Sequence, residues 1–343
     1  MQSIPAESEF AVERGAEPAW RRWLVLFIAA LLGLAGALYL AVVLLDPFST
    51  GRFTPLQRID IAIHSVALSN AGRVRDPSFD SAIMGNSVAR RIDPARLSVA
   101  TGRRFVLLAV DALLPDQQLV IARAFARHHR GTASFVFVLD PFWCADNVRA
   151  WPRRRELQEW LYQSSDFEYL SRIFFPQAIE AAGRRLLILA GRLGPARPPN
   201  GYEPINTLYV PADMPERMRT MQRPRDAAAP DAPFPLLDLL AHFVAGVEPQ
   251  VNVLMIFPPA FVGSLPEPGS AADRREAACK GAAQRIAAGR PNTEYLDLRI
   301  ENEKTRLIAN FYDPNHYRDD IAREIEQAIA GRFLSAFGAA RER

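Results

Sequence analysis

Phe79-Asp80-Ser81-Ala82-Ile83-Met84-Gly85-Asn86-Ser87 is a short apolar run that stops at a glycine and two small polar residues. Short apolar runs bounded by turn residues are how buried parallel strands read, so this one predicts a strand ending in a tight turn. Outward from it, four more such runs stand at residues 104–110, 134–139, 250–257 and 293–298. The third, Ser134-Phe135-Val136-Phe137-Val138-Leu139, is the most β-branched and aromatic of them. Helical patterns separate the runs, at 116–129, 153–163, 176–193, 234–245 and 271–288, and a last one at 318–337 closes the chain. Strands alternating with helices predict βαβ units, and right-handed crossovers make the fold class α/β. The expected architecture is a three-layer sandwich with a mainly parallel five-stranded sheet.

The stretch from about 142 to 233 is too long for one crossover. It reads as a helical insertion near the carboxyl ends of the strands, where ligands bind in such sheets. Before the sheet, residues 23–45 carry no charge and no proline. At 1.5 Å per residue they span about 34 Å, enough for a hydrocarbon core of about 30 Å. Trp20, Trp23 and Tyr39 fit interfacial positions, and Arg14, Arg21 and Arg22 precede the span. Positive charge on that side predicts a cytoplasmic N-terminus and a main domain on the other side of the membrane. A cleavable signal peptide would have a shorter apolar core and a small-residue cleavage site, and neither is present. The expected organisation is a cytoplasmic tail (1–22), a transmembrane anchor (23–45), a juxtamembrane linker (46–78) and an α/β domain (79–338) that carries the insertion.

The 343 residues are 49% apolar and 23% charged, with a net charge of +3. That near-balance gives no basis for a nucleic-acid partner. The two cysteines, Cys144 and Cys279, stand in unlike contexts without metal-ligand spacing. They read first as two small buried hydrophobes, with a disulfide as the alternative in an oxidising compartment. No phosphate-binding glycine loop follows the first strand, so no cofactor and no metal are expected.

Two motifs point to chemistry. Ser87 sits where a strand gives way to a helix-prone segment, a junction that can turn its Oγ out of the sheet edge. There its own N–H and that of Val88 can face an oxyanion. Far downstream, Tyr312-Asp313-Pro314-Asn315-His316-Tyr317 places a carboxylate three residues ahead of a histidine. A serine nucleophile needs a base to take its proton and a carboxylate to fix that base's tautomer. Each motif alone also reads as ordinary turn or cap chemistry. Together, at opposite ends of one predicted sheet, they make Ser87, His316 and Asp313 a candidate triad.

These residues resemble the SGNH (GDSL-like) hydrolase superfamily, and most closely its membrane-anchored bacterial branch of alginate O-acetylation and teichoic-acid D-alanyl transfer proteins. The resemblance rests on Ile83-Met84-Gly85-Asn86-Ser87-Val88-Ala89-Arg90, Ile92-Asp93-Pro94, Leu139-Asp140-Pro141-Phe142-Trp143, Phe257-Pro258-Pro259 and the Tyr312–Tyr317 block, and it covers about residues 79–335. It implies a flavodoxin-like sheet and the Ser87–His316–Asp313 triad. It further implies an O-acyltransferase or esterase acting on a cell-envelope glycan from the bacterial inner membrane, its main domain periplasmic or extracellular. Its partners would be the bilayer, through one helix, a membrane-bound acyl-transfer protein and a surface glycan. Three blocks depart from the pattern. Asn86 stands where the superfamily usually has Asp, Val110-Asp111-Ala112 lacks the usual oxyanion glycine, and Asp140-Pro141 replaces the usual Gly-x-Asn-Asp. Asp111 and Asn147 are therefore the weaker candidates for shaping the oxyanion or substrate site. The departures also keep open a non-catalytic assembly or binding protein of the envelope, or a plain structural one.

Overall fold

The computed structural model describes residues 19–338 except 56–57, 60–64, 132, 147–156, 196, 204–209 and 228–231. Helix α1 (Ala19–Leu45) comes first and α2 (Val66–Arg73) precedes strand β1 (Ser81–Met84). Then follow α3 (Pro94–Thr101), β2 (Phe105–Leu107), α4 (Pro115–His128) and β3 (Ser134–Val138). The next four helices are α5 (Asp166–Arg172), α6 (Pro176–Leu189), α7 (Met214–Arg219) and α8 (Pro235–Gly246). The chain ends with β4 (Asn252–Phe257), α9 (Ala271–Ala288), β5 (Thr293–Asp297), α10 (Glu303–Arg306), a hairpin of β6 (Phe311–Asp313) and β7 (His316–Tyr317), and α11 (Asp319–Phe337).

The five long strands form one all-parallel sheet in the order β2-β1-β3-β4-β5, the order of flavodoxin-type doubly wound sheets. Both faces are covered, which is why every residue of β1 to β4 is buried. Alternate residues serve opposite faces. Ala82, Met84, Phe135, Phe137, Val253 and Met255 pack in one core with Phe125 of α4, Phe243 of α8 and Ala283 of α9. Ile83, Val136, Val138, Leu254 and Ile256 pack in the other, against Leu97 of α3 and Ile325 and Phe333 of α11. Burying each such Leu, Ile or Phe contributes about 1.5–3 kcal/mol, so the two cores fix the register.

Helix starts follow local chemistry. Asp93 caps α3 by accepting from the Ala95 N–H at 2.8 Å, with Pro94 in the first turn, and Gly102 ends it in the left-handed region (φ 72°). Two expectations change here. Residues 46–78 are more than a linker. Their α2 is buried along its length from Ala67 to Arg73, and Asn70 Nδ2 donates to the Leu108 carbonyl at 3.0 Å. The helix expected at 153–163 shows, among the described residues, only a single 3₁₀ turn at Glu159–Leu161.

Helix α1 is about 40 Å long at 1.5 Å per residue, and an 18-residue window within its candidate span Trp20–Leu45 has a mean hydropathy of 2.6. It is long and apolar enough to cross a membrane, and most of its length is exposed. Only its last turns pack on the domain. Val42 and Val43 are buried there, and Tyr39 Oη donates to the Leu170 carbonyl at 2.9 Å.

Candidate active site

Ser87 opens a 3₁₀ turn (Ser87–Arg91) directly after β1. The turn is tight because Gly85 permits it: a Cβ there would lie 2.6 Å from Ala89 Cβ and 3.3 Å from Val138 Cβ. β1 and β3 diverge at this point of the strand order, so their carboxyl ends open a crevice. A side-chain pair bridges it. Asn86 Nδ2 donates to Asp140 Oδ2 across the gap, while Asn86 Oδ1 accepts from the Val88 N–H at 3.1 Å.

The β6–β7 hairpin delivers the other two groups. Its turn is built by Asp313, whose Oδ1 accepts from the N–H groups of Asn315 (2.9 Å) and His316 (3.0 Å). The turn is pinned from outside. The Phe261 N–H donates to the Pro314 carbonyl at 3.0 Å, and Tyr317 Oη donates to the Val88 carbonyl at 2.6 Å. The second contact ties the hairpin to the Ser87 turn itself. Asp313 Oδ2 is left to face His316 Nδ1 at 2.7 Å, and His316 Nε2 lies 2.8 Å from Ser87 Oγ. An ionised carboxylate only accepts, so Nδ1 carries the proton and Nε2 is free to take one from Ser87. Burial alone would raise Asp313. The hydrogen bond and charge of His316, with the two backbone N–H groups, outweigh it and hold the carboxyl below its ordinary value. The array can therefore move a proton from Ser87 to a histidine whose charge is already matched.

Above these residues lies a cleft of about 590 Å³, within the range of small-ligand sites. Ser87, Val88 and His316 line it, with Phe142, Asn315 and Arg275. Asp140 forms part of its floor, where burial raises the carboxyl to about 7 against the pull of the Phe142 and Trp143 N–H groups. One wall is covalently held: Cys144, just after β3, is disulfide-bonded to Cys279 of α9, with Cα atoms 5.6 Å apart. The expectation of two separate buried cysteines is thus corrected. The pair is 135 residues apart in sequence, and only the packing of α9 beside the β3 loop brings it together.

The weaker candidates fare differently. The Val88 N–H is held by Asn86 Oδ1, so it does not face the cleft as a free donor. The Ser87 N–H makes no hydrogen bond among the described residues. Asp111 lies outside the cleft lining and pairs with Arg90 at 2.7 Å. Asn147 falls outside the described residues. Arg275 was not anticipated, because an arginine on an Ala- and Arg-rich helix reads as solvent-facing. Instead it is buried, stacks on the Phe234 ring with its Cζ 3.9 Å from the centroid, and donates to the Cys144 carbonyl at 3.1 Å. No protein-family model matches this chain, and no curated protein matches it either.

Proposed function

We propose that this chain is a membrane-anchored acyl-ester enzyme of the SGNH type, an O-acyltransferase or esterase that works outside the cytoplasm on a cell-envelope glycan. The observation that carries the reading is the continuous hydrogen-bond chain from Ser87 Oγ through His316 to Asp313 at the mouth of a cleft. In the reaction, Ser87 Oγ attacks the acyl carbonyl as His316 Nε2 takes its proton. Asp313 stabilises the imidazolium, and the Ser87 N–H faces the developing oxyanion. His316 then returns the proton to the departing alkoxide, leaving the acyl group on Ser87. An incoming alcohol, or water, repeats the steps in reverse: it loses a proton to His316, takes the acyl group and frees Ser87. Transfer and hydrolysis thus share one acyl-enzyme.

The membrane side rests on charge and redox chemistry. Arg21 and Arg22 flank the N-terminal end of the apolar span, which favours a cytoplasmic N-terminus. A disulfide suits an oxidising compartment, on the far side of such a membrane. A second reading has one observation in its favour. The Val88 N–H is held by Asn86 Oδ1 and so is not offered to an oxyanion, as a binding protein that retains the fold would tolerate. Acetyl-enzyme trapping separates the two. Brief exposure to p-nitrophenyl acetate at low pH, followed by peptide mass analysis, should place an acetyl group on Ser87. A wild-type chain that releases no p-nitrophenol and carries no acetyl on Ser87 supports the binding protein instead.

A further inference from the structure

A second cleft, of about 470 Å³, stands apart from the one over Ser87. Five arginines line it, Arg52, Arg58, Arg75, Arg127 and Arg130, together with His128 and a single carboxylate, Asp166. Among the described residues only Arg52 has a carboxylate within ion-pairing distance, Asp166 at 2.7 Å. Arg75 is buried and spends its guanidinium on the carbonyls of Ala71 (2.6 Å) and Leu161 (2.7 Å), and Arg127 donates to the Tyr162 carbonyl. Carbonyls satisfy hydrogen bonds without supplying a compensating charge. Burial, and then the charge of Arg52, hold Arg75 down to about 10. Arg127 is lowered by burial and by Arg52 and Arg123. Two donors of the lining are buried without a partner among the described residues: Arg52 Nε, on a side chain only 8% exposed, and Arg58 Nη1. A cleft with unmatched positive charge and unused guanidinium donors suits an anion with several acceptor oxygens.

Its position narrows the source. Thr50, Gly51 and Arg52 of the lining follow directly on the end of α1 at Leu45. Asp46 folds the chain there, its carboxylate accepting from the Thr50 N–H (2.9 Å), Thr50 Oγ1 (2.8 Å) and the Gly51 N–H (2.6 Å). That carboxylate is committed to the turn. On the other rim, Asp166 is followed at once by Phe167, which is 83% exposed. Phe167 lies on α5, the helix whose Leu170 carbonyl accepts from Tyr39 of α1. The cleft is therefore bounded by the exit of the apolar helix on one side and by an unshielded aromatic on the other. That is the level at which phosphate headgroups lie.

We propose that this cleft is a binding site for an anionic phosphate group, presented by a lipid headgroup of the leaflet from which α1 emerges. The half-buried Arg58 and the exposed Arg130 complete it. The site fixes the height and tilt of the domain over the membrane, and it is independent of the Ser87 chemistry.

The test uses the full chain purified in dodecyl maltoside. Thermal unfolding is followed as inorganic phosphate, or micelle-incorporated dioleoylphosphatidylglycerol, is titrated in. Sodium chloride at matched ionic strength and dioleoylphosphatidylcholine serve as comparators. Anything that binds only the folded state raises the midpoint. Phosphatidylglycerol should raise it saturably and beyond both comparators. Arg58→Gln with Arg130→Gln should weaken the apparent affinity at least tenfold, while Arg219→Gln, on the distant α7, leaves it unchanged. Neither Arg58 nor Arg130 has a partner among the described residues, so the double variant should keep the wild-type circular dichroism. Arg130→Gln alone, with a smaller loss, covers the case in which it does not. Saturable binding of inorganic phosphate as tight as that of the lipid, and lost in the same variants, would overturn the lipid source and leave a soluble phosphate ligand. A shift no larger than with sodium chloride, or one that survives the variants, would overturn the site.

Discussion

The two clefts are similar in size and opposite in chemistry. Over Ser87, charge and hydrogen bonds are matched within the site: Asp313 answers His316, and Asp140 answers Asn86. Beside Arg52, several cations face one carboxylate. The matched site is suited to moving a proton without help, because the charge formed on His316 already has its counterion. The unmatched site can do little until an anion arrives. Net charge of +3 for the whole chain conceals this, since the imbalance is local. The difference teaches that pairing within a cleft, more than its volume, is what tells the two apart.

The comparison breaks first at His316. Replacing it with alanine should cut turnover of a simple acyl ester by about a thousandfold or more, with the fold unchanged, because loss of a triad base removes nearly all of its contribution. Residual turnover within about tenfold of wild type would mean that the matched pair is structural. Asp313→Asn should cost less than loss of His316, since it alters the tautomer and orientation of the ring and leaves the ring in place. Steady-state kinetics on the two variants give the order directly.

Next comes the wall of the cleft over Ser87. Cys279→Ser should destabilise the protein by about 2–5 kcal/mol, read from denaturant unfolding of the full chain, because the bridge closes a long loop. Turnover should fall as well, as Cys144 lines the cleft. Unchanged stability would show that the Cys144–Cys279 link is absent in solution.

The smallest effect concerns Asp140. Burial raises its folded value to about 7, while in the unfolded chain it titrates near 3.8. The folded state therefore keeps a proton that the unfolded chain has released. The resulting stability is full below about pH 4 and is lost as pH rises through 7. The unfolding midpoint should fall between pH 5 and pH 8, and Asp140→Asn should flatten that slope. An equally steep slope in the variant would assign it to another group.

Much of this was legible in the sequence, and the limits are physical. The sheet was legible because each strand is a contiguous apolar run between breakers, and the 134–139 run gave the central strand to within one residue. Helix α9 was legible to its ends because Ser270 and Gly289 punctuate it. Helix α2 was missed because Val66-Ala-Leu-Ser-Asn-Ala-Gly-Arg73 is short and half polar. Its burial comes from tertiary bonds such as that of Asn70 to the Leu108 carbonyl. Ser87, Asp313 and His316 could be named from local motifs, and the 229 positions between serine and histidine are closed by the strand order. The Asn86–Asp140 bridge, the disulfide and buried Arg275 were not legible, because each depends on which loops meet across the crevice. The five-arginine cleft gathers residues from four separate segments, so no window of sequence displays it.

The central claim is that His316 activates Ser87. A fluorophosphonate probe tests it most directly, since it bonds only to a serine whose proton can be removed on attack. Incubation of the full-length protein with the probe, digestion and peptide mass analysis should show a single adduct on Ser87. The adduct should be absent in Ser87→Ala and should form far more slowly in His316→Ala. An unlabelled wild-type protein, or equal labelling of Ser87 with and without His316, would contradict the account.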